Sequence, residues 1–409
     1  MRLTVFKNTV LLCVLIGISC GSKSKSDAGE ESKIINQVQD DTTLIVGANQ
    51  TELYLPLLKG KRVGIVANQT SVIFKNKSYV HLVDSLLSLN VKIKKVFSPE
   101  HGFRGTADAG EEVKDGLDTK TGLPLISLYG DNKKPKPEQL KDLDVVVFDI
   151  QDVGVRFYTY ISTLHYIMEA CADAKIPVVI LDRPNPNGKY VDGPTLDIKN
   201  KSFLGIHPIP LVHGMTIGEY AQMINGEHWL ENGNQCQITV IPVKNYTHQA
   251  SYSLPIRPSP NLPNDQAIAL YPSLGLFEGT NINAGRGTEF QFQRYGAPFL
   301  DKNVFTFTYT PIENFGSKNP KHKGKLCFGE DLKDEKVESK VSLKWLIKAY
   351  NNSTDKSLVF NTGNFTLHAG TDQLQKQIEA GLSEDKIRAT WQDDLKQFKK
   401  IRENYLIYK

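Results

Sequence analysis

A chain of 409 residues that is 40% hydrophobic can bury a sizeable core, and its length suits two or three domains. Its formal charge of +4 arises from 49 Lys and Arg against 45 Asp and Glu. That near balance argues against nucleic-acid binding, which needs a clustered basic face.

At the N-terminus Arg2 and Lys7 flank a short basic region, and an apolar run follows from Val10 to Ile18. The run is too short to span a bilayer but suits the core of a secretory signal. It ends at Ser19-Cys20-Gly21, which is similar to a bacterial lipoprotein cleavage site, although Gly17 and Ile18 stand where Leu and a small residue are more usual. The expectation is a signal peptide over 1–20, lipid on Cys20, and a flexible Ser-, Lys-, Asp- and Glu-rich tether over 21–42. The protein would then be exported, periplasmic or at the cell surface, and held at the membrane by lipid alone. An ordinary signal with an incidental Cys is the plainer alternative. Beyond the leader only Cys171, Cys236 and Cys327 remain, an odd number without zinc-like spacing, so a complete disulfide framework is excluded.

From 43 to 258 strand-like and helical runs alternate. Segments 62–67, 91–97, 145–148, 178–181 and 238–243 read as strands, with helices over 79–89 and 164–174. Alternating Lys in 91–97 suggests an edge or half-exposed strand, whereas 145–148 and 178–181 are continuous apolar runs of the kind found inside parallel sheets. The pattern predicts an α/β domain with a Rossmann-like open, mostly parallel sheet. No GxGxxG follows any strand, so a dinucleotide is not expected, and no other cofactor is expected either. From 259 to 409 the character changes. Leu343, Leu346, Ile347 and Tyr350, then Ile387, Trp391, Leu395, Phe398 and Arg402, fall at helical spacing, and a short strand is expected over 305–309. This part reads as a smaller α+β domain.

Ligands of open α/β sheets bind beyond the carboxyl ends of the strands. Polar residues gather there four times, at 68–70, 98–105, 149–158 and 182–186. In the second loop Glu100 follows Pro99 and lies near the apolar Phe103, a setting for a general acid, or else it pairs with Arg104. His101 is a hydrogen-bonding or metal-ligand candidate. Asp149 and Asp152 either position a substrate or fix loop amides and Arg156. Asn68, Arg104, Gln151, Tyr158, Asn185 and His213 are further contact candidates. Thr216 and Glu219 form a capping box, so Glu219 is structural. Beyond a turn at Tyr271-Pro272, Glu278 is the best second carboxylate, with Asn281 nearby. Arg286 between Gly285 and Gly287 suits close approach to an anion.

These loops carry SPEHGFRG at 98–105, DIQDVGVRFYTY at 149–160, LDRPNPNG at 181–188, VDGP at 191–194, LVHGMTIGE at 211–219, LFEGTN at 276–281, GRGTEF at 285–290 and AGTDQLQKQI at 369–378. Together they resemble the bacterial exo-β-N-acetylmuramidase family, over about 43–409. Gln291 departs from the pattern, where Pro is often found. The resemblance implies a cleft at a domain junction and hydrolysis of terminal β-1,4-linked N-acetylmuramic acid from peptidoglycan fragments. On that reading Glu100 is the acid and Glu278 or Asp152 its partner. Arg156 or Arg286 would take the lactyl carboxylate. Two rivals stand beside it: a lipoprotein that binds cell-wall fragments without cleaving them, and a metal-assisted esterase or deacetylase built on His101, Asp149 and Asp152.

Overall fold

Alternation of side chains along a strand sends neighbouring residues to opposite faces, and a run that is apolar at every position must be covered on both. A computed structural model shows this for the central strands. It describes residues 43–76, 78–104 and 115–409; the expected signal, Cys20, the tether and Gly105 lie outside them. The strands in chain order are β1 (Val63–Ala67), β2 (Val72–Lys75), β3 (Ser78–His81), β4 (Ile93–Ser98), β5 (Gly116–Leu117), β6 (Pro124–Ser127), β7 (Val145–Asp149), β8 (Val178–Leu181), β9 (Ile238–Ile241), β10 (Arg294–Ala297), β11 (Phe307–Tyr309) and β12 (Cys327–Asp331).

Seven strands form one sheet in the order β5-β6-β4-β1-β7-β8-β9. All neighbours are parallel except β5, which runs against β6. The chain moves outward from β1 to β4 and β6, then returns to β7 on the other side of β1. This is the Rossmann-like order, with its switch point between β1 and β7. Val66, Val146, Phe148, Val178 and Ile180 face one core, together with Leu164, Ile167 and Met168 of the helix Tyr160–Asp173. Val63, Ile65, Val145, Val147 and Val179 face the other, against Tyr54, Leu58, Leu82 and Leu86. Each such side chain contributes about 1.5–3 kcal/mol by leaving water. The Lys-bearing strand β4 is neither an edge strand nor half-exposed: it lies between β1 and β6 and is largely buried, with only Lys94 and Lys95 partly exposed.

The first of these cores continues without a break into the C-terminal part, through Leu276, Tyr295, Phe365, Trp391 and Phe398. There β10, β12 and β11 make a small antiparallel sheet, surrounded by short helices. Residues Thr43–Lys409 form one compact unit. The C-terminal tail closes back onto the large sheet: the Tyr408 hydroxyl donates to Asp182 (2.6 Å), and Glu219 accepts from the Ile407 and Tyr408 amides.

Local structure departs from expectation in three places. Residues 79–81 belong to β3, which pairs with the β-branched run of β2 in a hairpin, so the helix there is only Leu82–Ser88. The helical pattern through 387–402 is broken into Glu384–Ala389 and Gln392–Arg402, and the Thr390 hydroxyl donates to the Ile387 carbonyl at the break. Tyr271-Pro272 is not a turn but lies inside the helix Asp265–Leu274. The capping box forms as expected: Thr216 Oγ1 accepts from the Glu219 amide, and Glu219 accepts from the Thr216 amide.

Candidate active site

Glu100 sits two residues beyond β4. Behind it His101 and Gly102 both take left-handed backbone angles, φ 71° and 77°, which turn the chain back sharply. The His101 ring is 3.1 Å from Ser259 Oγ, so this loop is tied to the segment that leads into the C-terminal part. Thr159 Oγ1 donates to Glu100 Oε2 at 3.2 Å, and Tyr129 stands beside this carboxyl in the cavity lining. Burial first, then the charge of Glu100, push the Tyr129 phenol up to about 12. Arg104 does not pair with Glu100. It turns to Asp118 (2.7 Å) and Asp84 (3.2 Å). Phe103 packs against His81 in the far core, so the aromatic surroundings of Glu100 come from Tyr129, Tyr160 and Tyr271 instead.

The opposite wall comes from the C-terminal part. The helix Asp265–Leu274 runs into a 3-10 turn, Gly275–Gly279, that carries Glu278. Lys321 Nζ fixes this turn by donating to the carbonyls of Phe277, Glu278 and Thr280 at 2.9, 3.0 and 2.6 Å. Arg286 lies 3.2 Å from the Glu278 carboxylate. Gly285 and Gly287 on either side of it have φ near +79° and +77°, and a Cβ at Gly285 would come within 2.4 Å of the Phe290 carbonyl oxygen. Burial opposes ionisation of Glu278, but the positive charges of Arg286 and then Lys321 outweigh it and lower its pKa. Glu278 is therefore held as a carboxylate.

Between the walls is a cavity of about 260 Å³ whose polar lining includes Glu100, Tyr129, Asn261, Glu278, Arg286 and His368. Tyr158 and Tyr160 form part of its floor, and Phe203 and Phe292 supply aromatic edges. It lies at the small end of ligand pockets, nearer to one sugar ring than to a stretch of polymer. Asn261 Oδ1 and Arg286 Nε are buried in it without a hydrogen-bond partner among the described residues. Larger hollows exist, such as one of about 580 Å³ lined by Leu140 and Ile176, but that one brings together no pair of carboxylates with an Arg.

The structure thus gathers Glu100, His101, Tyr158, Glu278 and Arg286 around the cavity, and leaves the other expected contacts outside it. Asn68 is buried and donates to the Tyr160 hydroxyl (2.8 Å). Asp149 is locked to Arg183 at 2.6 Å. Gln151 donates to the Asp152 and Pro184 carbonyls, and Asn185 to that of Met215. Asn281 is at the surface, donating to the Leu358 carbonyl. Arg156 is wholly buried, and its two terminal nitrogens donate to four backbone carbonyls. These polar groups satisfy loop backbone that would otherwise be buried unpaired. His101, Asp149 and Asp152 do not converge, and no three His, Cys, Asp or Glu side chains among the described residues gather as a metal set. Conversely, Thr159, inside the quoted 149–160 motif but not singled out, braces the site, and Tyr129, Asn261, Lys321 and His368 line or brace it from segments outside every quoted motif.

Asp152, expected as a second carboxylate, is buried below the tyrosine floor. Its Oδ2 accepts from the Gly154 amide and lies 3.8 Å from His213 Nε2. Burial raises its pKa to about 7, against the pull of the Gly154 and Val153 amides. An unfolded Asp titrates near 3.9. The neutral acid is thus favoured in the folded state, and its contribution is full at low pH and lost as pH rises towards and through about 7. Asp152→Asn stays neutral throughout. Relative to wild type it should gain roughly 2–3 kcal/mol in stability between pH 5 and pH 8. Urea melts at both pH values would show this, and an unchanged difference would mean that Asp152 does not carry a shifted proton.

Family models for the N-terminal and C-terminal regions of "Exo-beta-N-acetylmuramidase NamZ" match residues 63–266 and 269–408. A relative from Bacillus subtilis (strain 168), the peptidoglycan beta-N-acetylmuramidase NamZ, is 38% identical over 432 residues, covering 100% of each chain. Two crystal structures of DUF1343 family proteins from Bacteroides fragilis NCTC 9343 share the fold. One has a TM-score of 0.81 at 46% identity, the other 0.73 at 28%, and each alignment covers 90% of this chain and 99% of the other.

Proposed function

The chain belongs to the NamZ exo-β-N-acetylmuramidase family, and from that premise we propose that its cleft removes a terminal β-1,4-linked N-acetylmuramic acid from peptidoglycan fragments. Glu100 gives its proton to the leaving glycosidic oxygen. Water adds its oxygen to the anomeric carbon, and its hydrogens restore the acid and complete the hydroxyl. Glu278 is the carboxylate partner. Activating that water and orienting the substrate's acetamido group are both tasks for an ionised carboxylate. The observation that carries this reading is the facing pair: Glu100 hydrogen-bonded by Thr159 and beside Tyr129, and Glu278 held ionised beside Arg286 and Lys321, on opposite walls of one ring-sized cavity.

Incubation of the purified protein with a muramic-acid-terminated disaccharide should release free N-acetylmuramic acid. No release across a range of pH would end the proposal.

Arg286 is the cation for the lactyl carboxylate, since Arg156 is buried elsewhere. Its unpartnered Nε leaves a donor for that group. Arg286→Met should lose about ten- to a hundredfold in kcat/KM on this disaccharide, the size of a lost charge-assisted hydrogen bond. An equal loss on a substrate analogue lacking the lactyl carboxylate would assign Arg286 to Glu278 alone.

We infer from the N-terminal sequence that the protein is exported and lipid-anchored at Cys20. Metabolic palmitate labelling should mark wild type and not Cys20→Ser, and label on both would overturn that site.

A further inference from the structure

His368 reaches the cleft from the last turn of the helix Thr362–Ala369. Its Nδ1 lies 2.8 Å from the Asn364 carbonyl oxygen. A carbonyl can only accept, so Nδ1 carries the hydrogen and Nε2 of the neutral ring presents a lone pair. Burial lowers the pKa of the ring, against the opposing pull of the Asn364 carbonyl and of Glu278. Nε2 makes no hydrogen bond to any described residue, and the ring packs at 5.8 Å from Phe157. A free acceptor therefore stands beside the ionised Glu278.

The position of this acceptor is set from the other half of the chain. Arg156 donates one terminal nitrogen to the carbonyls of His368 (3.1 Å) and Ala369 (2.6 Å), and the other to those of Pro194 (2.7 Å) and Ile209 (3.0 Å). Gly370 follows at φ +77°, where a Cβ would fall 2.4 Å from the same guanidinium. Only Gly lets the segment lie this close.

We propose that His368 is a specificity-determining residue whose Nε2 accepts a hydrogen bond from a hydroxyl or amide N–H of the bound sugar, and that Arg156 is the positioning residue that holds it there. This rests on the cleft being a saccharide site. A terminal muramic acid offers such donors at its 4- and 6-hydroxyls and its acetamido group, and a site with two adjacent acceptors, Glu278 and His368, is matched to a ligand rich in O–H.

The test compares kcat/KM on the muramic-acid-terminated disaccharide for wild type, His368→Phe and His368→Gln, with folding checked by circular dichroism and thermal melts. His368→Phe should lose about tenfold or more, the value of a buried donor left without its acceptor. His368→Gln keeps an acceptor and should recover most of that loss. The 4-deoxy and 6-deoxy substrates separate the possible donors: the one whose missing hydroxyl met Nε2 should no longer distinguish wild type from His368→Phe. If both still distinguish them, the acetamido N–H is the donor. A folded His368→Phe within twofold of wild type would overturn the assignment, as would a folded His368→Gln as damaged as His368→Phe. Calorimetric binding of free N-acetylmuramic acid keeps the two ideas apart. Wild type that neither cleaves nor binds would end the saccharide reading itself. Wild type that cleaves and binds, with His368→Phe equal to it, would end only the role of His368.

Discussion

Glu100→Gln should lower kcat on the muramic-acid-terminated disaccharide at least about a hundredfold, the usual contribution of a general acid. The substitution is close to isosteric. The Thr159 hydroxyl can still donate to the remaining carbonyl oxygen, so the loop after β4 should keep its path and the protein its stability. What Gln cannot do is deliver a proton to the departing sugar oxygen. That difference predicts a second result. A substrate with an aryl leaving group of low pKa needs little protonation to depart, so the variant should recover much of its rate on it. Near-normal rate on the disaccharide would move the acid elsewhere. An equal loss on both substrates would make Glu100 a binding or positioning group.

The sequence made the frame of this site visible more readily than its members. Continuous apolar runs at 145–148 and 178–181, short and rich in Val and Ile, read as central strands, and β7 and β8 lie there. Thr216 and Glu219 formed their capping box because the interaction is local, three residues apart. Polar loops at the strand ends were equally legible, but the sequence does not say which side chains in them face the ligand. Asp149 and Glu100 each stand at the end of a strand. One is taken out of use by Arg183, 34 residues further on, and the other faces a cavity completed by residues more than 150 positions away. Partnerships of that range have no periodicity to read.

The two arginines make the same point more sharply. Arg286 has glycines on both sides at positive φ, a backbone that brings its side chain to the cavity wall. Arg156 lies between Val155 and Phe157, both buried. Its flanks were a signal of burial, but a cation in a polar loop at a strand end invites a functional reading unless a partner for the charge is known. That partner turns out to be four carbonyl oxygens, two of them over 200 residues away.

Those four bonds lead to the largest expected effect on stability. Burial lowers the Arg156 pKa, yet its N–H groups are received by carbonyl dipoles, which favour the charged form. Arg156→Met would remove the desolvation cost of the cation, an offset that makes some buried charges dispensable. Here the offset should fail, because Met leaves the Pro194, Ile209, His368 and Ala369 carbonyls without this donor, and an unsatisfied buried polar group costs about 1–3 kcal/mol. A net loss of roughly 3–5 kcal/mol in urea unfolding is expected. A loss below about 1 kcal/mol would mean that the segment finds other donors and that Arg156 is not its anchor. The carbonyls on one side belong to 194 and 209 and on the other to 368 and 369. Loss of the clamp should therefore loosen the wall that carries His368. At temperatures where the variant is still folded, the damage should appear in KM for the disaccharide before it appears in kcat, since Glu100 and Glu278 are held by other contacts.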